Sequence, residues 1–210
     1  MKIIKPSYEI LTNIDRENTL KLIELAGKTC YKSEDGITET SASTFVSKIC
    51  NVFKHESVIE HVGFTVRFII DRGVSHELVR HRLCSFSQES TRYVNYSKGK
   101  FGKEITVIEP LFYDKGSKRY EIWKSACLAT ESAYFNLLED GSTPQEARSV
   151  LPNSLKTEII TTANMREWRT IFKLRTNEKA HPQIREVMIP LANEMAEKLP
   201  ELFYDFKINS

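Results

Sequence analysis

One stretch holds more charge and more hydroxyls than a core needs: Arg80-His81-Arg82-Leu83-Cys84-Ser85-Phe86-Ser87-Gln88-Glu89-Ser90-Thr91-Arg92-Tyr93. Ahead of it Val74, Leu78, Val79 and Leu83 recur at helical spacing, which predicts a helix from about Ser75 to Cys84. Three consecutive cation-capable side chains at its end sweep through about 200°, at about 100° per residue. They cannot share one solvated stripe, so at least one faces the body of the protein. Beyond them come hydroxyls, an amide and a carboxylate, closed by Arg92. Cations at a helix end followed by such a loop suit an anion such as a phosphate, whose oxygens accept paired guanidinium N–H groups. Arg80 and Arg82 would equally serve as surface ion pairs that favour the helix C-terminus through its dipole.

A second guanidinium stands out downstream. Trp168, Ile171, Phe172 and Arg175 fall at i, i+3, i+4 and i+7, one helical face. An arginine on an apolar face cannot shed its charge and needs an anionic or carbonyl partner. A structural carboxylate or a ligand's acceptor would satisfy it. Two histidine pairs, His55 with His61 and His76 with His81, have spacings that do not stack on one helical face, so no metal site is expected.

The elements that must position these groups read as follows. Ile3 to Leu11 starts as a strand that Pro6 breaks or places at an edge. Asp15 caps a helix carrying Leu20, Ile23 and Leu25, which fades at Gly27. After a polar loop, a helix carries Phe45, Val46, Ile49 and Phe53 on one face. Phe64, Val66, Phe68 and Ile70 alternate with Thr65, Arg67 and Ile69, a strand that Asp71-Arg72-Gly73 turns into the Arg-His-Arg helix. Ile105 to Ile108 is a short strand. Ser117 to Glu139 is a long helix with Ile122, Ala126, Cys127, Ala133, Tyr134, Leu137 and Leu138 inward, stopped at Asp140-Gly141. Thr143-Pro144-Gln145-Glu146 is a capping box with proline at the first helical position, and that helix ends before Pro152. Lys156 to Ala163 is a β-branched strand, and Asn164-Met165-Arg166-Glu167 starts the helix that ends at Arg175. Pro182 opens the last helix, stopped by Pro200. Strands and helices mix without β-α-β alternation, which predicts an α+β fold, a mostly antiparallel sheet packed with several helices in a single compact domain. No G-x-G-x-x-G or Walker sequence is present, which argues against a Rossmann domain.

Bulk properties narrow the class. A chain of 210 residues can bury a core without staples. A net charge of +2 makes no compositional case for nucleic acid. The apolar run Phe64 to Ile70 is broken by Arg67, and no charged-then-apolar leader precedes it, so neither a membrane span nor a signal peptide is expected. Cys30, Cys50, Cys84 and Cys127 form no C-x-x-C pair, which fits reduced thiols in a cytoplasmic protein and no structural zinc.

Arg80-His81-Arg82, seven residues, Ser90, then Arg92-Tyr93 resembles the signature of the flavin-dependent thymidylate synthases. The resemblance runs from about His55 to Arg185, with weaker similarity around Cys30-Tyr31. Ser87-Gln88 stands where Asn-Glu is frequent, Glu77 where glutamine is common, and Thr170 where asparagine or histidine is usual. The resemblance implies that Ser57, Arg80, His81, Arg82, Gln88, Asn164 and Arg166 hold FAD. It implies that Glu77, Arg80, Gln88, Glu89, Ser90, Thr91, Arg92 and Arg148 hold dUMP. Arg175 would be catalytic, contacting the uracil ring and promoting ionisation at N3. The implied reaction methylates dUMP to dTMP with methylenetetrahydrofolate as carbon donor and FAD, reduced by NADPH, as hydride carrier. Tetrahydrofolate is released, and homotetramers share active sites between subunits. The cysteine-dependent thymidylate synthases need a nucleophilic cysteine beside a histidine, and none of the four cysteines here is followed by one. Two other readings are a nucleic-acid-binding protein with Arg80, Arg82 and Arg92 on phosphates, and a nucleotide-binding regulator without chemistry.

Overall fold

Alternation and punctuation in the sequence place most of the elements. The computed structural model describes residues 1–99 and 102–208. Its strands are β1 (Lys2–Ile4), β2 (Ser7–Ile10), β3 (Gly63–Asp71), β4 (Ser85–Gln88), β5 (Thr106–Ile108) and β6 (Lys156–Asn164). Its α-helices are α1 (Arg16–Cys30), α2 (Ser41–Ser47), α3 (Arg72–Leu78), α4 (Lys118–Glu139), α5 (Pro144–Ala147), α6 (Met165–Arg175), α7 (Pro182–Lys198) and α8 (Pro200–Phe203).

Pro6 splits the first predicted strand, since its missing N–H cannot extend a ladder. The halves join different sheets. β1 pairs in parallel with β5, Ile3 opposite Val107, and β2 belongs to a sheet of order β2-β3-β6-β4. Leu11 N donates to Thr65 O at 2.8 Å and Arg67 reaches Glu9 at 2.7 Å, so β2 and β3 run antiparallel. Met165 N bonds Val62 O at 2.9 Å and Arg72 N bonds Leu155 O at 3.1 Å, so β3 and β6 do too. The fold is α+β with an antiparallel main sheet.

The chain forms two compact units. The first comprises Met1–Ser7, Phe68–Arg80 and Phe86–Ile160. Tyr96, Ile105, Val107, Cys127, Tyr134, Ala147 and Leu155 are its core, with the Tyr96 and Tyr134 rings edge-on at 5.8 Å. The second comprises Tyr8–Arg67, His81–Ser85 and Thr161–Ser210. Its core is aromatic: Trp168 stacks on Phe64 at 4.5 Å and donates its indole N–H to Phe64 O at 3.0 Å. That bond satisfies the one polar atom of a fully buried Trp168, and so locks α6 against β3.

Several boundaries differ from the reading above, each for a local reason. α3 begins at Arg72, not near Ser75, because the Asp71 carboxylate accepts from Val74 N at 2.8 Å and caps it there. It ends at Leu78, so Arg80-His81-Arg82 lie in turns beyond the helix rather than on its last turn. Part of the hydroxyl-rich loop is a strand, β4, which polar sequence concealed. α1 runs past Gly27 to Cys30; a Cβ there would sit 2.6 Å from the Phe45 ring, so glycine serves close packing, not termination. A π-helical turn at Lys48–Val52 follows α2 and shifts the helical phase, leaving Phe53 half exposed. On α4, Tyr120, Cys127 and Tyr134 are buried while Ile122 is 60% exposed and Ala126 faces out. α7 ends at Lys198, ahead of Pro200 as expected, and Pro200 also opens the short α8. Among the described residues no helix is long and apolar enough to cross a membrane.

At Gly63 an added Cβ would collide with the Ala163 carbonyl oxygen, a backbone atom that cannot swing aside. Gly63→Ala should therefore cost about 1–3 kcal/mol, read as a lower urea midpoint at unchanged slope; an unchanged midpoint would contradict this packing.

Candidate active site

The expected site residues divide cleanly between the two units. Glu77, Arg80, Gln88, Glu89, Ser90, Thr91, Arg92 and Arg148 lie in the first; Ser57, His81, Arg82, Asn164, Arg166 and Arg175 lie in the second.

In the first unit, α3 and β4 bring Ser75 and Gln88 together. The Gln88 amide nitrogen donates to Ser75 Oγ at 2.9 Å and to Thr157 Oγ1 at 3.2 Å. Both hydroxyls are fully buried, so they decide which end of the amide is nitrogen. Glu89 accepts from Tyr96 Oη at 3.1 Å and from Lys156 Nζ at 2.9 Å; Lys156 also reaches Glu158 at 2.7 Å. Burial and the Glu89 charge push the Tyr96 phenol up, which keeps it a hydrogen-bond donor. Glu89 is thus an anchor of the loop. Arg148, on the 3-10 turn Arg148–Val150 after α5, donates to the buried Thr91 hydroxyl at 3.5 Å, the outer limit of a hydrogen bond. The Ser90 hydroxyl accepts from Arg92 N at 3.3 Å, and the exposed Arg92 guanidinium lies 5.5 Å from the Tyr93 ring. Arg80 is exposed and Glu77 half-buried.

Arg72 is the residue that sequence reading missed here. It entered only as part of a turn, yet its Nη1 is buried with no hydrogen-bond partner among the described residues. Its charge bears on the Tyr96 phenol, which places it beside the Glu89 anchor. A buried guanidinium nitrogen left unpaired by protein suits an anionic ligand. The set as a whole offers guanidinium and hydroxyl donors, which suits a phosphate.

In the second unit the Arg-His-Arg turn sends His81 inward and Arg82 outward. His81 Nε2 accepts from Arg175 Nε at 3.0 Å, and His81 Nδ1 lies 3.4 Å from Glu167 Oε1. Burial, and then the Arg175 charge, pull the His81 imidazole down to about 4, so it is neutral at pH 7. Burial raises the Glu167 carboxyl. Burial and the Glu167 charge push the Cys84 thiol up to about 12, so this cysteine supplies no thiolate nucleophile.

Around α6 the remaining residues are tied to the 3-10 turn Glu56–His61. Arg169 is buried and donates to Glu56 at 3.0 Å and Asp205 at 2.7 Å, while Arg166, half exposed, is paired with Glu60. Ser57 is exposed on the same turn. Asn164 caps α6, its Oδ1 accepting from Glu167 N at 2.9 Å. Ser57, Arg82 and Arg166 are exposed donors that fit the phosphates of a dinucleotide. The arrangement therefore offers exposed donors and one guanidinium held by a neutral, buried imidazole. Such a guanidinium can stabilise negative charge developing on a ring.

Residues 12–201 match the family model described as Thymidylate synthase complementing protein. A flavin-dependent thymidylate synthase from Geobacter sulfurreducens is 35% identical over 190 residues, 87% of this chain and 80% of the relative. One from Pyrococcus furiosus is 36% identical over 180 residues, 84% of this chain and 72% of the relative. The fold resembles that of Thymidylate Synthase X from Helicobacter pylori, solved with FAD and dUMP, with a TM-score of 0.78 at 22% identity. That likeness covers 97% of this chain and 100% of the other. A UMP/dUMP methylase, PolB, from Streptomyces cacaoi, solved with 5-Br dUMP, gives a TM-score of 0.78 at 22% identity over 98% and 96%.

The neutral His81 has a pH signature. An imidazole lowered in the folded state from 6.5 to about 4 leaves the unfolded chain binding more protons between those values. Stability therefore falls as pH drops through that window and is unaffected above it. Between pH 7 and pH 5 the wild type should lose about 2 kcal/mol more than His81→Asn, measured by urea unfolding. Equal losses would mean that His81 is not held neutral.

Proposed function

Because this chain belongs to the flavin-dependent thymidylate synthase family, we propose that it methylates dUMP to dTMP using the residues described above. The observation that carries the reading is the contact between the half-buried Arg175 and the neutral His81, a cation backed by a buried acceptor. Set against the uracil ring, such a cation favours loss of the N3 proton and raises electron density at C5, the carbon that must be alkylated.

In the first unit Arg72, Arg92 and Arg148 supply guanidinium donors for the dUMP phosphate, with Ser90 and Thr91 as hydroxyl partners. Gln88, its nitrogen committed to Ser75 and Thr157, presents an amide of known polarity to the nucleotide or the flavin. Glu89 holds the loop through Tyr96 and Lys156, and Glu77 and Arg80 approach the nucleotide from the segment preceding it. Arg80 of the first unit and Ser57, His81, Arg82, Asn164 and Arg166 of the second are the residues that would hold FAD, the exposed ones at its phosphates. Reduced FAD supplies the hydride that takes the one-carbon unit from the methylene to the methyl level.

The carbon comes from methylenetetrahydrofolate and the reducing equivalents from NADPH, so tetrahydrofolate leaves unoxidised and the C5 proton is lost to solvent. The position of Cys84 agrees, since its raised thiol offers no covalent route through sulfur. The chain is read as one domain, a reading supported by the family match from 12 to 201, which includes residues of both units. A cytoplasmic homotetramer with shared sites completes the reading. Neither the fold nor the relatives favours the nucleic-acid alternative.

Incubation with dUMP, methylenetetrahydrofolate, FAD and NADPH should yield dTMP and tetrahydrofolate. Arg175→Ala should lower dTMP formation by about 100-fold or more, the scale of losing one preorganised donor, with FAD still bound. A wild-type rate in that variant would overturn the role given to Arg175.

A further inference from the structure

Glu167 enters the sequence only as a first-turn residue of α6. A carboxylate there ordinarily faces solvent and favours the helix N-terminus. This one is buried, 7% exposed, where an ionised carboxylate is costly unless a donor faces it. Among the described residues the His81 ring and the Cys84 thiol face it, and its own backbone N–H is donated to Asn164. Glu167 and Arg175 are eight residues apart on one side of α6, and His81 spans the two turns between them.

The hydrogen-bond logic of that span has one solution. A guanidinium Nε–H can only donate, so His81 Nε2 must present a lone pair. A neutral imidazole carries a single ring proton, which therefore sits on Nδ1, the nitrogen 3.4 Å from Glu167 Oε1. We propose that Glu167 is a positioning residue that fixes the Nδ1–H tautomer of His81 and thereby the orientation of the Arg175 guanidinium. Without an acceptor at position 167 the buried Nδ1–H is left unpaired, and the ring turns out of its place. The Arg175 contact is lost with it, and the freed imidazole carries its proton mainly on Nε2, as a free histidine does. The effect on turnover rests on the thymidylate synthase reading; the tautomer does not.

The test has two arms. In enzyme labelled with 15N-histidine, long-range 15N–1H correlation should show His81 protonated at Nδ1 and bare at Nε2, the signal assigned by its loss in His81→Asn. Glu167→Leu should move the proton to Nε2, and Glu167→Gln, whose amide oxygen still accepts, should leave it on Nδ1. In turnover, Glu167→Leu should lower kcat about 10–100-fold, with the KM for dUMP and the bound flavin nearly unchanged, and Glu167→Gln should restore most of it. An Nε2-protonated His81 in the wild type, or an unmoved proton in Glu167→Leu, would overturn the proposal. Should Glu167→Leu not fold, Glu167→Met, which also lacks a carboxylate acceptor, takes its place in both arms. A wild type that shows the Nδ1–H tautomer but makes no dTMP would support the tautomer assignment and overturn the functional reading instead.

Discussion

A guanidinium can be bonded to a histidine ring only if that ring is neutral and its acceptor nitrogen is turned the right way. The contact between Arg175 and His81 imposes this demand, and much of the second unit serves it. Burial keeps the imidazole uncharged. Trp168, Ile171 and Phe172, all fully buried, fix the helix that carries Arg175, and Asn164 and the Phe64 carbonyl set where that helix begins and how it lies. Because α3 stops at Leu78, Arg80, His81 and Arg82 leave the helix, and the middle residue turns in while its neighbours stay exposed. A helix continued to Cys84 would have spread the three around its axis.

The first unit gathers guanidinium and hydroxyl donors of a kind that suits an anion. Its acidic residues are already engaged: Glu89 with Tyr96 and Lys156, and Glu158 with Lys156. Arg148 borders the Thr91 hydroxyl, and the buried Arg72 Nη1 has no hydrogen-bond partner among the described residues. Such a set suits a phosphate, whose oxygens accept from guanidinium and hydroxyl groups alike.

Much of this was legible in the sequence because apolar patterning reports burial. The period of two in β3 and the apolar stripe leading to Arg175 reflect side chains that pack, and the capping box at Thr143 and the Asn164 cap mark helix starts through local hydrogen bonds. What escaped was decided by polar contacts between distant residues. β4 is only four residues long with Phe86 as its single apolar side chain, too little sequence to announce a strand. The start of α3 depends on one Asp71 cap, and the phase after α2 on one π-helical turn. The burial of Glu167 and of the Arg72 Nη1 follows from tertiary neighbours that no local pattern encodes. Ile122 misled because α4 buries a narrower row, Tyr120, Cys127 and Tyr134, than its composition suggests.

The central claim is that these residues serve a flavin reaction, and the absorbance spectrum of the protein purified with added FAD tests it most directly. The account predicts bound flavin bands in the visible that bleach when NADPH is added anaerobically and return in air. A protein that stays colourless and takes up no FAD would contradict it.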